Sequence, residues 1–285
     1  MVWGDRDMGL RATTRSAKET ALLNRFESFY DKARSPVMEA IERSVCGCDY
    51  GGNSWTTRAQ AEQMAQHLRL RAGMRLLELG AGAGWPGLYL AQATGCDVAL
   101  VDIPLNGLRI AAERAASEGL ASGVTVVAAD AAVLPFPDAG FDAVSHSDLL
   151  CCLDQKRSVL ADCRRVIHAH GRMAFTVISV VPGLSASAYR RAVANGPDFV
   201  ESEADYPTLL AETGWTVSGQ DDITSDYVAS CRRQIDADEA QQDGLVALIG
   251  AEAFAERLAK WTSHLAALND NLLRRDAFVA VPRPG

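Results

Sequence analysis

The chain has 285 residues, 48% of them hydrophobic and 22% charged, which is too apolar for a disordered chain and enough for a large buried core. Lys and Arg total 28 against 36 Asp and Glu, a formal charge of −8. That balance lacks the electrostatic footprint of a general nucleic-acid binder or a peripheral membrane protein, and the length allows one large domain or two small ones.

The first 70 residues read as helical and polar. Phe26, Phe29 and Tyr30, then Val37, Met38 and Ile41, fall at amphipathic spacing broken at Pro36. An aromatic at such spacing belongs to a core, and Tyr30 is read that way. Residues 46–57 hold three glycines and several small polar side chains and form a loop. Within it Tyr50, Asn53 and Trp55 are candidates for a cofactor or substrate entrance. Thr57 caps a helix to about 69, with Ala61, Met64, Ala65 and Leu68 inward.

From 74 onward strands and helices alternate. Strands are expected over 74–79, 97–101, 124–128, 141–145 and 172–180. A glycine loop at 80–84 leads through Pro86 into a helix, and further helices cover 104–118 and 155–167. This rhythm predicts a parallel sheet covered on both faces. Pro182 and Gly183 end it. A helix at 206–212, a strand at 215–219, one or two long helices over 236–273 and a short strand at 277–281 follow. The last two strands can pair antiparallel at the sheet edge.

The strongest motif is Leu76-Leu-Glu-Leu-Gly-Ala-Gly-Ala-Gly-Trp-Pro-Gly87. Its glycines permit a sharp turn and a close ligand. Gly82-x-Gly84-x-x-Gly87 fits the dinucleotide fingerprint. Gly80-x-Gly82-x-Gly84, preceded by Glu78, fits the nucleoside loop of S-adenosyl-L-methionine (SAM) enzymes. Asp102 ends the second strand 22 residues after Gly80, where a carboxylate can accept from both ribose hydroxyls. Asp130 follows the third strand and can accept from an adenine amino group, with the Ala131 amide beside it. Alone, either Asp would read as a cap or turn residue; in order at successive strand ends they read as a nucleoside site.

On these residues the chain resembles the class I SAM-dependent methyltransferase family. The matching segments are LELGAGAG at 77–84, ALVDI at 99–103, the run at 126–153 and the helix–turn–strand at 164–179. The likeness is close over 73–180 and looser beyond. The loop at 49–57 and Gly84-Trp-Pro86 look like the small-molecule branch that includes ubiquinone and sterol or tocopherol C-methyltransferases. The resemblance implies a Rossmann-like, doubly wound, seven-stranded and mostly parallel α/β sheet with an antiparallel last strand. It also implies SAM as cofactor and a small-molecule acceptor. Glu78, Gly80, Ala81, Gly82 and Gly84 would form the methionine and ribose side, with Ser145 in the same set. Asp102 would hold the ribose, Ile103 would pack on the adenine face, and Asp130 and Ala131 would read the adenine edge. Trp85 stands where a small residue is common and joins the entrance candidates. His168-Ala-His-Gly171 replaces a frequent Arg-Pro-Gly-Gly turn, of which Gly171 alone is needed.

The resemblance points to one domain, 1–285: a helical cap over 1–72, a cofactor half over 73–180, and a substrate half over 181–285 with a helical insertion at 236–273. The insertion reads as an amphipathic helix on the sheet edge, or as a lid working with the N-terminal cap. Methyl transfer needs alignment and exclusion of water, and a base where the nucleophile carries a proton. His146, after the fourth strand, is the candidate catalytic base, with a structural hydrogen-bonding role as its alternative. Asp148 would cap the following helix or orient His146.

No metal site is expected. Cys46-x-Cys48 and Cys151-Cys152 are too tightly spaced for structural zinc, and His168-x-His170 lacks a third ligand. Seven cysteines without repeated spacing, and an N-terminus without an apolar signal core, favour a reducing cytoplasm. The longest apolar stretch, 173–184, is about half the ~20 residues a membrane span needs. An NAD-dependent oxidoreductase, resting on Gly82, Gly84 and Gly87 without a following Tyr-x-x-x-Lys, and a non-catalytic SAM-binding protein are the alternatives.

Overall fold

The computed structural model describes residues 15–52 and 54–284. Asn53 and residues 1–14, on which part of the signal-sequence reading rests, lie outside the described residues.

Three capped helices come first. In α1 (Ala17–Tyr30), Ser16 and Glu19 bond each other's backbone in a capping box; α2 (Pro36–Cys46) starts on Ser35 with proline at its first position; α3 (Arg58–Leu68) starts on a Thr57–Gln60 box. The alternating part runs β1 (Arg75–Leu79), α4 (Gly87–Thr94), β2 (Asp97–Asp102), α5 (Leu105–Ser117), β3 (Val124–Ala128), β4 (Phe141–Ser147), α6 (Lys156–Val166) and β5 (Ile167–Val180). Then come α7 (Ala186–Asn195), α8 (Tyr206–Glu212), β6 (Trp215–Asp222), α9 (Thr224–Ala240), α10 (Gln242–Ile249), α11 (Ala251–Asn269) and β7 (Leu273–Pro282).

The seven strands form one sheet in the order β3-β2-β1-β4-β5-β7-β6. The pairs among β1 to β5 are parallel, and β7 runs antiparallel between β5 and β6. Alternate residues of each strand feed the two faces. Leu77, Leu79, Val144, Phe175 and Trp215 pack on one side, and Leu76, Leu88, Leu100, Ala143 and Ala174 on the other. Strand order reverses between β1 and β4, so a crevice opens beyond the C-terminal ends of these strands, where ligands bind in such sheets.

Four expectations are corrected. The late insertion spans 224–269 as three helices rather than 236–273, broken at Gln241 and at Gly250, whose φ is +88°. The final strand begins at Leu273, four residues before the expected start; its Arg274-Arg275-Asp276 run hides a strand because those charges are satisfied inside the fold. The Ser/Ala-rich α7, capped by Ser185, carries too weak a pattern to be read. Residues 167–171 continue strand rather than turn. Gly171 is needed for close approach, since a Cβ there would lie 2.8 Å from the Asp142 carbonyl oxygen, beside a register shift between Phe141 and Ala143.

Candidate active site

A cavity of about 450 Å³ occupies the crevice. Its strand-end wall holds Gly80, Asp102, Ile103, Asp130 and Ala131, five of the residues singled out from the sequence. Gly80 and Gly82 turn the chain with φ of +65° and +50°, a region that side chains disfavour. The turn aims the Gly82 N–H at Asp102, which accepts it at 2.7 Å while its other oxygen accepts from Ile103 N–H at 2.8 Å. Burial pushes the Asp102 carboxyl up to about 6, and these two donors hold it back. A carboxylate has about four acceptor positions. Two are taken by the backbone, which leaves capacity for the two hydroxyls of a ribose. Asp130 accepts from the Ala132 N–H at 2.9 Å.

Tyr30, read as a core aromatic, sits over this loop. It lines the cavity, and a Cβ on Gly82 would collide with its hydroxyl. Burial and the nearby Asp102 charge raise its pKa well above the ordinary value.

The opposite wall is mostly helical and sets apolar side chains beside charged ones, among them Lys18, Arg25, Asp198 and Lys260. Leu22 and Phe26 come from α1, Asn195 ends α7, Tyr227 lies in α9, and Trp261 and His264 lie in α11. Trp55, an entrance candidate, reaches this wall and meets Tyr227 and Trp261 edge-on, each at 5.2 Å. The Tyr227 hydroxyl lies 2.7 Å from His264 Nε2, and His264 Nδ1 lies 2.5 Å from the Asn195 carbonyl oxygen. A carbonyl can only accept, so Nδ1 carries the proton and Nε2 accepts from the phenol. Burial lowers the His264 pKa, with Lys260 acting in the same direction.

Asp148 lines the cavity but caps no helix. It has a φ of +52° and takes the buried Arg275 guanidinium in two bonds of 3.0 and 2.8 Å. The single 3-10 turn that follows, Leu150–Cys152, has no side-chain cap.

The other candidates lie behind the cavity walls. Glu78 and Ser145 are buried on adjacent strands, the Ser145 hydroxyl donating to the carboxylate. Burial pushes Glu78 up to about 7, and that bond opposes the rise. The Ala81 N–H donates to the Val101 carbonyl, and Gly84 is packed against Leu88. Trp85 donates from its indole to the Thr56 carbonyl at 2.8 Å and packs between Tyr50 and Tyr89. Arg114 lies 3.7 Å over the Tyr50 ring.

His146 does not line the cavity. The alternation of β4 turns it into the core, where it stacks at 4.5 Å on Phe175, and neither ring nitrogen has a partner among the described residues. Burial drives its pKa down to about 3, so the ring stays neutral in place. Cys46 and Cys48 donate to the Ser54 carbonyl and the Glu42 carboxylate. Cys151 and Cys152 border the cavity. Among the described residues no group of three or more His, Cys, Asp or Glu is placed to hold a metal ion.

Residues 77–175 match the family model of a methyltransferase domain. The chain carries a class I SAM-dependent methyltransferase domain. It is 34% identical over 173 residues to the 27-O-demethylrifamycin SV methyltransferase of Amycolatopsis mediterranei, covering 59% of this chain and 63% of that one. Identity is 28% over 206 residues to the methyltransferase GfsG of Streptomyces halstedii, covering 70% and 72%. In fold, it superposes on phosphoethanolamine N-methyltransferase 2 of Haemonchus contortus, solved with phosphomonomethylethanolamine and S-adenosylhomocysteine. That match has a TM-score of 0.74 at 20% identity and covers 91% of this chain and 60% of that one.

The cofactor of this methyltransferase domain is SAM, and the wall fits it. The spare acceptor positions of Asp102 suit a ribose, and Ile103, Asp130 and Ala131 continue the same wall. Sequence reasoning missed Tyr30, Asn195, Tyr227, Trp261 and His264 as cavity residues. Trp261 lies within the insertion read as an amphipathic helix, and no spacing joins residues from four helices.

Proposed function

We propose that the chain transfers a methyl group from SAM to a hydroxylated small molecule with an apolar body. The reading is supported by the two chemistries of one continuous cavity. Its strand-end wall offers carboxylates to a nucleoside, and the facing wall offers Leu22, Phe26, Trp55 and Trp261 together with polar groups such as Asn195, Tyr227 and His264 and the charged Lys18, Arg25 and Lys260. Pockets for small ligands combine an apolar lining with convergent polar groups. The Amycolatopsis relative, named for the O-demethylated molecule it acts on, favours oxygen as the accepting atom. These relatives favour methyl transfer over nicotinamide chemistry.

When bound, SAM supplies a methyl already activated on a sulfonium. Asp102 and the Gly80–Gly82 turn hold and orient the nucleoside. Tyr30 and Phe26 close over it and exclude water, and the aromatic wall aligns the acceptor for in-line displacement. Helices α1 to α3 and the helices at 224–269 then act as covers on a single domain.

The test is release of S-adenosylhomocysteine by the full chain, given SAM and a panel of hydroxylated aromatics, hydroxylated macrocycles and amines. Release with hydroxylated apolar compounds is expected. Release with amines alone would reassign the accepting atom, and absence of SAM binding by calorimetry would end the methyltransferase reading.

A further inference from the structure

We propose that Tyr227 and His264 form the proton relay of the reaction, Tyr227 meeting the acceptor hydroxyl and His264 storing its proton. The inference rests on the methyltransferase reading above. Both side chains line the cavity on the wall opposite the nucleoside residues. They come from different helices, α9 and α11, and are bonded at 2.7 Å. The Asn195 carbonyl fixes the imidazole so that the lone pair of Nε2 points at the phenol. The Tyr227 oxygen donates its own proton to that lone pair and keeps acceptor capacity for an incoming O–H. Trp261, whose ring centroid lies 6.2 Å from that of His264, has its Nε1 buried with no partner among the described residues and borders the same cavity. An unsatisfied buried donor is costly, and an acceptor oxygen would satisfy it.

The step balances without a further reactant. The oxygen–methyl bond forms as the sulfur–methyl bond breaks, and the bonding pair leaves with sulfur. The hydroxyl proton passes to the Tyr227 oxygen while the Tyr227 proton passes to His264 Nε2. The positive charge lost by the sulfonium reappears on the imidazolium, which releases its proton to solvent afterwards.

The charged and titratable groups facing the pair come from several elements. Arg275 of β7 lies 5.5 Å over the Tyr227 ring. Asp148 after β4, Cys151 in the turn that follows and Cys231 of α9 all act on the phenol. Lys260 of α11 acts on His264. Burial favours the neutral phenol and the neutral imidazole alike, which is the resting state a relay needs.

The test uses the full chain with the hydroxylated acceptor that releases most S-adenosylhomocysteine in the panel. Tyr227→Phe keeps the ring packing, and His264→Gln keeps polar contacts without a base. Each is expected to lower kcat about a hundredfold or more, the size of general-base effects, with KM and S-adenosylhomocysteine affinity near wild type. Added imidazole restores part of the rate of His264→Ala. Nitrogen NMR of histidine-labelled protein with S-adenosylhomocysteine bound is expected to show His264 neutral and protonated at Nδ1 at neutral pH, with its Nε2 signal moving in Tyr227→Phe.

The relay is overturned if both variants keep the wild-type rate, if cofactor affinity falls by the same factor as kcat, or if the ring proves protonated at Nε2. A wild type that binds SAM but turns over amines alone overturns the relay and spares the methyltransferase reading. Failure to bind SAM removes both. Should His264→Gln fail to fold, Tyr227→Phe and the NMR signal decide.

Discussion

The two walls of the cavity are built in opposite ways. The strand-end wall comes from Gly80, Asp102, Ile103, Asp130 and Ala131, about fifty consecutive residues in which the first three strands of a parallel sheet each end at the cavity. The helical wall gathers Phe26, Trp55, Asn195, Tyr227 and His264 from segments as far as 238 residues apart. The first wall is a property of topology, so its spacing is written along the chain. The second exists only after packing, and its chemistry can change with few substitutions while the fold stays intact.

If that division holds, damage to each wall reads out in a different step. The largest effect is expected from Asp102→Ala, which removes a charged acceptor from the nucleoside and from two backbone donors. Cofactor affinity should fall by about 3 kcal/mol, more than a hundredfold in Kd by calorimetry. An Asp102→Ala protein with normal cofactor affinity but a raised acceptor KM would break the comparison.

Next comes Glu78, which supports the strand-end wall from beneath. Its carboxyl rises from an ordinary 4.5 to about 7 on folding, so between those values the folded state holds the extra proton. Its contribution to stability is therefore fullest below about pH 4.5 and is lost as pH climbs through about 7. Asp102, raised from 3.8 to about 6, acts with the same sign over a lower window. Glu78→Gln keeps an acceptor for the Ser145 hydroxyl and cannot ionise. The cofactor-free variant should gain up to about 3 kcal/mol over wild type in mildly alkaline buffer. Equal melting temperatures across the pH range would count against this.

The smallest effect is expected at His146, which belongs to neither wall. Leucine there removes two buried nitrogens that have no partner among the described residues, and stability should change by no more than about 1 kcal/mol, toward greater stability. Methyl transfer and its pH profile should be untouched. Loss of a pH limb in His146→Leu would return that residue to the chemistry.

The sheet, its order of elements and the strand-end wall were legible because glycines and carboxylates at strand ends are local signals. The limits were physical. His146 was misplaced because a position after a strand does not state which face the pleat turns it to. Tyr30 was read as core, and it is buried, but the surface it covers is the glycine loop, a contact between residues 30 and 82 that no local pattern encodes. The start of β7 was hidden because Arg275 and Asp276 look exposed in sequence, yet they find Asp148 and Arg274 inside.

Arg275 carries one more consequence. Besides Asp148, its guanidinium reaches the Trp55 carbonyl, the Gln60 side chain, Thr56 and Thr176. The loop and the start of α3 within the N-terminal cap are thus fastened by a side chain that leaves the ribosome some 215 residues later. During vectorial synthesis the early helices emerge with their anchor unmade, and β7 must slot between β5 and β6 before the cap can settle. Assembly of the acceptor wall therefore waits for the emergence of β7, and a nascent chain stalled before residue 275 would present the nucleoside motif without that enclosure.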